Sequence, residues 1–223
     1  MRRELVGQTG HVDVVRGARH FALNFALNFP LDLAHRRRSG RGALVHALLE
    51  RLPGVPEPRR EAVARTYLET RAPRLDEASR ARLVTDALGV MEHPALKPLF
   101  GSSARAEASV VGRVRIGAED VPVSGQIDRF AIVGDAVLIA DFKTARPPRS
   151  GEPPPHAEAA QLALYRALLR EAYPSHRVRA FLVWTAGPLV RELDDADLEG
   201  ALARVAAPVD GLGGADQGAV AAP

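Results

Sequence analysis

Apolar positions fall into two textures along this chain. Before about residue 100 the spacing is helical. Leu44, Leu48 and Leu52 recur every fourth residue over 42–52, with Val45 and Leu49 alongside. That spacing predicts an amphipathic helix, which Pro53-Gly54 stops. Further helices are expected over 58–70 and 76–90, the latter capped by Asp76 or the residue before it. From residue 105 the pattern changes, and 106–116 alternates as a strand does. Val137-Leu138-Ile139-Ala140 is a short continuous apolar run set off by the turn signal Gly134-Asp135, so it reads as a buried strand. Asp128 lies on the strand before it, across the expected hairpin. Pro147–Pro155 is proline-rich and can be neither helix nor central strand. A helix over 157–172 ends at Tyr173-Pro174, a buried strand covers 178–184, and a last helix covers 195–206. Helices, three strands, a helix, a strand and a helix predict an α/β fold with a central mixed sheet flanked by helices.

The two ends read differently. Residues 1–35 show no sustained period, and Phe21–Phe29 resembles a short duplication, so order is not expected there. The tail 208–223 is rich in Gly and Ala and is expected to be disordered. This leaves 36–207 as the folded domain.

Composition narrows the choices. At 223 residues and 46% hydrophobic, the chain suits one domain with a sizeable core. No apolar run approaches the roughly 18 residues that span a membrane. Phe21–Leu33, broken by Asn24, Asn28 and Pro30, makes a poor signal peptide. The absence of cysteine excludes disulfides, cysteine-ligated zinc and cysteine-ligated iron–sulfur clusters, and fits a cytoplasmic protein. The formal net charge is +3 and the pI about 9.8. Arg36-Arg37-Arg38 with Arg41, and Arg59-Arg60 with Arg65, are compatible with a polyanionic partner, although such runs are usually solvated faces.

The chemistry concentrates between Gly125 and Tyr165. Asp141 closes the apolar strand, where ionisation is costly without a cation. Lys143 lies two residues on and therefore projects to the same side. Asp128 sits on the neighbouring strand between Ile127 and Phe130. Two acids beside a lysine can hold a divalent cation and stabilise developing negative charge, which is the minimum equipment for phosphodiester cleavage. Of 30 Lys+Arg, lysine occurs only at 97 and 143. In so arginine-rich a chain, Lys143 points to a role for a compact ammonium that a planar guanidinium does not fill. Gln161 and Tyr165 share a helix face, Tyr165 being equally explicable as core. His46, inside the first apolar helix face, is by spacing alone a packing residue.

Taken together these residues resemble the RecB-like branch of the PD-(D/E)XK nucleases. More closely they resemble the C-terminal nuclease domain of the AddA-type helicase–nucleases of double-strand break repair. The residues that carry the resemblance are Arg41–Glu50, Gly125-Gln126-Ile127-Asp128-Arg129, Asp141-Phe142-Lys143-Thr144, Gln161–Tyr165 and Val183-Trp184-Thr185. It implies a restriction-endonuclease-like fold and Mg²⁺, with Mn²⁺ as a substitute, bound by His46, Asp128 and Asp141 with the Phe142 carbonyl. Lys143 would be the catalytic lysine, with Gln161 and Tyr165 as DNA-binding or supporting residues. Glu107 falls where related nucleases carry an additional strand acid. DNA is the implied substrate, and a helicase subunit or an AddB-like protein the implied partner. The chain has no G-x-x-x-x-G-K-[ST] phosphate loop and hence no motor of its own. It also lacks the iron–sulfur cysteines of the AddB side. The competing readings are a catalytically silent DNA-binding or scaffolding module, and a truncated piece of a helicase–nuclease.

Overall fold

The computed structural model describes residues 13–15 and 40–206. The expectations for residues 1–35 and 208–223 fall outside the described residues, apart from Asp13–Val15. Those three residues form a short strand, β1, paired with the next strand in the chain.

Six strands form one sheet in sequence order: β1, β2 (Arg105–Ile116), β3 (Glu119–Val133), β4 (Ala136–Lys143), β5 (Arg177–Trp184) and β6 (Leu189–Leu193). All neighbours are antiparallel except β4 and β5, which are parallel. Parallel strands need a long crossover, and the helix α4 (His156–Ala172) supplies it. The mixed sheet expected from the apolar pattern is present, and β6 extends it. The sequence reading missed β6 because Leu189-Val190-Arg191-Glu192-Leu193 is short, polar at its centre and half-exposed.

Helices α1 (Gly40–Arg51), α2 (Arg60–Arg71) and α3 (Glu77–Glu92) lie between β1 and β2 in the chain, and α5 (Asp195–Ala206) ends the described chain. Asp76 caps α3 as expected, accepting the Ser79 backbone N–H at 2.7 Å. Between β3 and β4, Gly134 takes the positive φ (58°) that a two-residue hairpin turn requires.

The sheet separates two cores. Val137 and Ile139 of β4 pack with Leu162, Leu168 and Leu169 of α4 and with Leu198 of α5. Leu138, Ala140 and Phe142 point the other way, onto Val45, Leu48 and Leu49 of α1 and Val84, Ala87 and Val90 of α3. Strand alternation thus supplies a row to each layer, and the site forms where those rows run out at the end of β4.

Candidate metal-binding active site

Asp141 and Lys143 continue the Val137–Ile139 row beyond the core. Their side chains meet, Lys143 Nζ lying 2.7 Å from Asp141 Oδ2. Asp141 is buried, and burial raises its carboxyl to about 6. The Lys143 ammonium works against that rise, while the Asp128 charge adds to it.

Asp128 lies where two strands change their alternation. Ala106 pairs with Arg129 and Ala108 with Ile127, but the ladder is interrupted between them at Glu107 and Asp128. Ile127 packs into the α4-side core, whereas Arg129 reaches α1 on the opposite side. In a regular strand residues two apart share a face, so the chain flips at Asp128. Opposite it, Glu107 has a left-handed backbone (φ 51°), the one non-glycine in that region among the described residues. Such conformations cost of order 1–3 kcal/mol and concentrate where a site needs them. The flip frees the Asp128 carboxylate to accept the Phe142 backbone N–H through Oδ2 at 2.7 Å.

His46 comes from α1 on the other layer. Its Nε2 lies 3.2 Å from the Phe142 carbonyl oxygen. A carbonyl only accepts, so this contact assigns a proton to Nε2, and in the neutral imidazole the lone pair then falls on Nδ1. Nδ1 is buried without a hydrogen-bond partner, 3.5 Å from Asp128 Oδ1. His46, Glu107 and Asp128 each offer a ligand atom, all within 4.8 Å of one another.

The structure therefore brings together His46, Asp128 and Glu107, the last being the strand acid that the resemblance suggested as an addition. Asp141 is not a member of that close group. It is held by Lys143 while remaining in the electrostatic reach of Asp128 and His46. The donor set fits a divalent cation. Imidazole nitrogen and carboxylate oxygen are suitable ligands, and neighbouring ligand atoms on an octahedral ion stand about 3 Å apart at the 2.0–2.1 Å bond lengths of Mg²⁺. A cation would also complement the Nδ1 lone pair, which otherwise faces a carboxylate.

Gln161 and Tyr165 stand behind the site. Gln161 Nε2 donates to the Tyr165 hydroxyl at 3.1 Å, and both are buried. Burial pushes the Tyr165 phenol up to about 12. A Cβ on Gly125 would lie 2.0 Å from the Tyr165 oxygen, so the tyrosine fills the space that this glycine leaves on β3. Tyr165 thus props the strand that carries Asp128.

One residue near the site escaped the sequence reading as a functional candidate. Arg129 is 4% exposed. Its Nη2 donates to the Leu49 carbonyl of α1, its Cζ lies 4.9 Å from the Phe100 ring centroid, and Nε has no hydrogen-bond partner. Burial lowers its guanidinium to about 10, opposed by the carboxylates of Glu50 and Glu107. An arginine after Asp128 in an apolar strand was the available signal, but strand alternation alone placed it no further.

No curated protein matches. Among solved structures, the crystal structure of SSO0001 is 19% identical, over 73% of this chain and 71% of that one, with a TM-score of 0.31. Protein VC1899 from Vibrio cholerae is 15% identical, over 75% of this chain and 55% of that one, with a TM-score of 0.27. The model of the PD-(D/E)XK nuclease superfamily matches residues 13–216. The mixed sheet flanked by helices is consistent with the restriction-endonuclease-like α/β fold of that family. Since the match spans most of its length, the chain belongs to the PD-(D/E)XK nuclease superfamily.

Proposed function

We propose that this protein is a divalent-metal-dependent deoxyribonuclease whose site is built from His46, Glu107, Asp128, Asp141 and Lys143. The observation that carries the reading is the buried Nδ1 of His46, which has no hydrogen-bond partner and faces Asp128 Oδ1 at 3.5 Å. His46, Asp128 and Asp141 would hold Mg²⁺ or Mn²⁺, with Glu107 as an additional ligand. When bound, such an ion polarises the scissile phosphate and lowers the pKa of a bound water.

The chain's own groups have distinct tasks. Asp128 fixes the end of β4 through the Phe142 N–H. Asp141 orients the Lys143 ammonium, whose side chain is 22% exposed and so reaches the solvent edge of the site. There the ammonium is placed to meet negative charge developing on the phosphate oxygens. The Gln161–Tyr165 pair supports β3 from behind.

The finer reading is an exonuclease of double-strand break repair, AddA-like and cytoplasmic, acting beside a helicase subunit or an AddB-like partner. Its support is the run of AddA-like residues from Arg41 to Thr185. Among the described residues no helix is long and apolar enough to cross a membrane.

The test is incubation of purified protein with linear duplex and supercoiled plasmid in EDTA, Mg²⁺ or Mn²⁺. Cleavage is expected only with metal, with linear DNA preferred, and is expected to disappear in Asp128→Asn and Lys143→Ala. Metal-independent binding of DNA without cleavage of either form would overturn the nuclease reading in favour of a silent binding module.

A further inference from the structure

We propose that Arg129 is a positioning residue for the metal site, fixing His46 of α1 against Asp128 of β3. The inference rests on the metal-site reading above and extends it to a residue outside the ligand set.

The argument begins with helix geometry. His46 and Leu49 are three apart on α1 and share a face. The first contacts Asp128 and the Phe142 carbonyl, and the Leu49 carbonyl accepts from Arg129 Nη2. Two neighbouring positions of one helix are thus tied to two consecutive residues of one strand. The His46 tie is made by the very groups that would ligate an ion. The Arg129 tie is independent of them and acts at the last turn of α1, where carbonyls lack helical partners and attract cations.

The guanidinium is itself fixed in place. It lies over the Phe100 ring, 4.9 Å from the centroid. Phe100 is stacked on Phe142 with an interplanar angle of 3°, and Phe142 meets the His46 ring edge-on at 5.6 Å. A packed column of rings therefore runs from Arg129 to the imidazole. The same guanidinium interacts with the charge of Glu107, which belongs to the close ligand group. Arg129 is thereby linked to His46 through α1 and the rings, and to Glu107 through charge. It is also bonded directly to Asp128 along the chain.

Shape explains why arginine stands here. Its planar fork can donate to a carbonyl while its face rests on an aromatic ring, and it stays charged when buried. Lysine offers a point charge that can do one or the other. Methionine offers similar length with neither.

The test reads metal binding, with DNA absent. Mn²⁺ is titrated calorimetrically into wild type, Arg129→Met, Arg129→Lys and the ligand control Asp128→Asn, with folding followed by circular dichroism and thermal midpoint. Residues that orient metal ligands typically alter metal affinity about 10–100-fold when replaced. Arg129→Met is expected to weaken Mn²⁺ binding about tenfold or more while remaining folded. Arg129→Lys is expected to fall between it and wild type. If Arg129→Met does not fold, Arg129→Lys decides: weakened binding supports the inference and wild-type affinity overturns it. Folded Arg129→Met that binds Mn²⁺ as tightly as wild type shows a purely structural role and overturns this inference alone. A wild type that binds no Mn²⁺, indistinguishable from Asp128→Asn, overturns the metal-site reading and this inference with it.

Discussion

The Asp128 carboxylate accepts the Phe142 backbone N–H at 2.7 Å, extending with a side chain a ladder whose last backbone pair is Arg129 with Ala140. One carboxylate oxygen thereby fixes the end of β4, and the other faces His46. Structure and chemistry share one residue, and the two can be separated by substitution.

We predict that Asp128→Asn and Asp128→Ala differ in stability but agree in metal binding. The amide oxygen of Asn still accepts the Phe142 N–H, whereas Ala leaves that buried donor unpaired at a cost of about 1–3 kcal/mol. Both lose the charge that faces His46. Urea denaturation and Mn²⁺ titration of the two variants would check this. Equal stability of the two would mean that the Phe142 N–H finds another partner.

Lys143→Arg is expected to be nearly as damaging to cleavage as Lys143→Ala. The ammonium sits 2.7 Å from Asp141, and a planar guanidinium cannot reproduce that compact charge in the same space. Single-turnover rates should fall on the order of a hundredfold or more in both, the scale of losing one transition-state donor. Retention of most of the rate by Lys143→Arg would show that any cation serves.

Asp141 sets a pH dependence for the metal-free protein. Its folded carboxyl is raised to about 6 from an ordinary 3.8. Its protonated form therefore stabilises the fold fully below 3.8, and that contribution is lost as pH rises through about 6. Asp141→Asn never ionises. In EDTA it should gain stability relative to wild type between pH 4 and pH 8, by up to about 3 kcal/mol. Denaturation curves at the two pH values measure the difference, and a constant gap between the proteins would refute it.

Gly125→Ala should destabilise the fold through Tyr165. Its Cβ would meet the Tyr165 hydroxyl at 2.0 Å and ring carbons at 2.6 and 2.7 Å. Overpacking of this kind costs about 1–3 kcal/mol. Tyr165→Ala has its own cavity cost but removes the obstacle, so the two substitutions together should cost less than their sum. A strictly additive double-mutant cycle would place the strain elsewhere.

Much of this protein was legible along the chain. Helical spacing located α1 and α4, and the apolar run 137–140 located β4, because burial imposes periods of 3.6 and 2 on any sequence. The Asp76 cap and the Gly134 turn followed from local backbone chemistry. The same period of 2 put Asp141 and Lys143 on one side, where they form an ion pair. His46 could be joined to Asp128 only through a family resemblance, since nothing in a helix pattern says which strand end its face will meet. Tertiary structure decided the rest. The flip at Glu107 and Asp128 needs two strands paired across a turn, and there the Glu107 carboxylate, which the resemblance had suggested as an additional acid, joins the group. Gly125 and Tyr165 explain one another only once α4 lies on β3. Arginine is usually exposed, yet Arg129 is buried because a helix end, an aromatic ring and two acids converge on it from distant parts of the chain. Local periodicity fixes which face each residue occupies, while long-range packing fixes what that face meets.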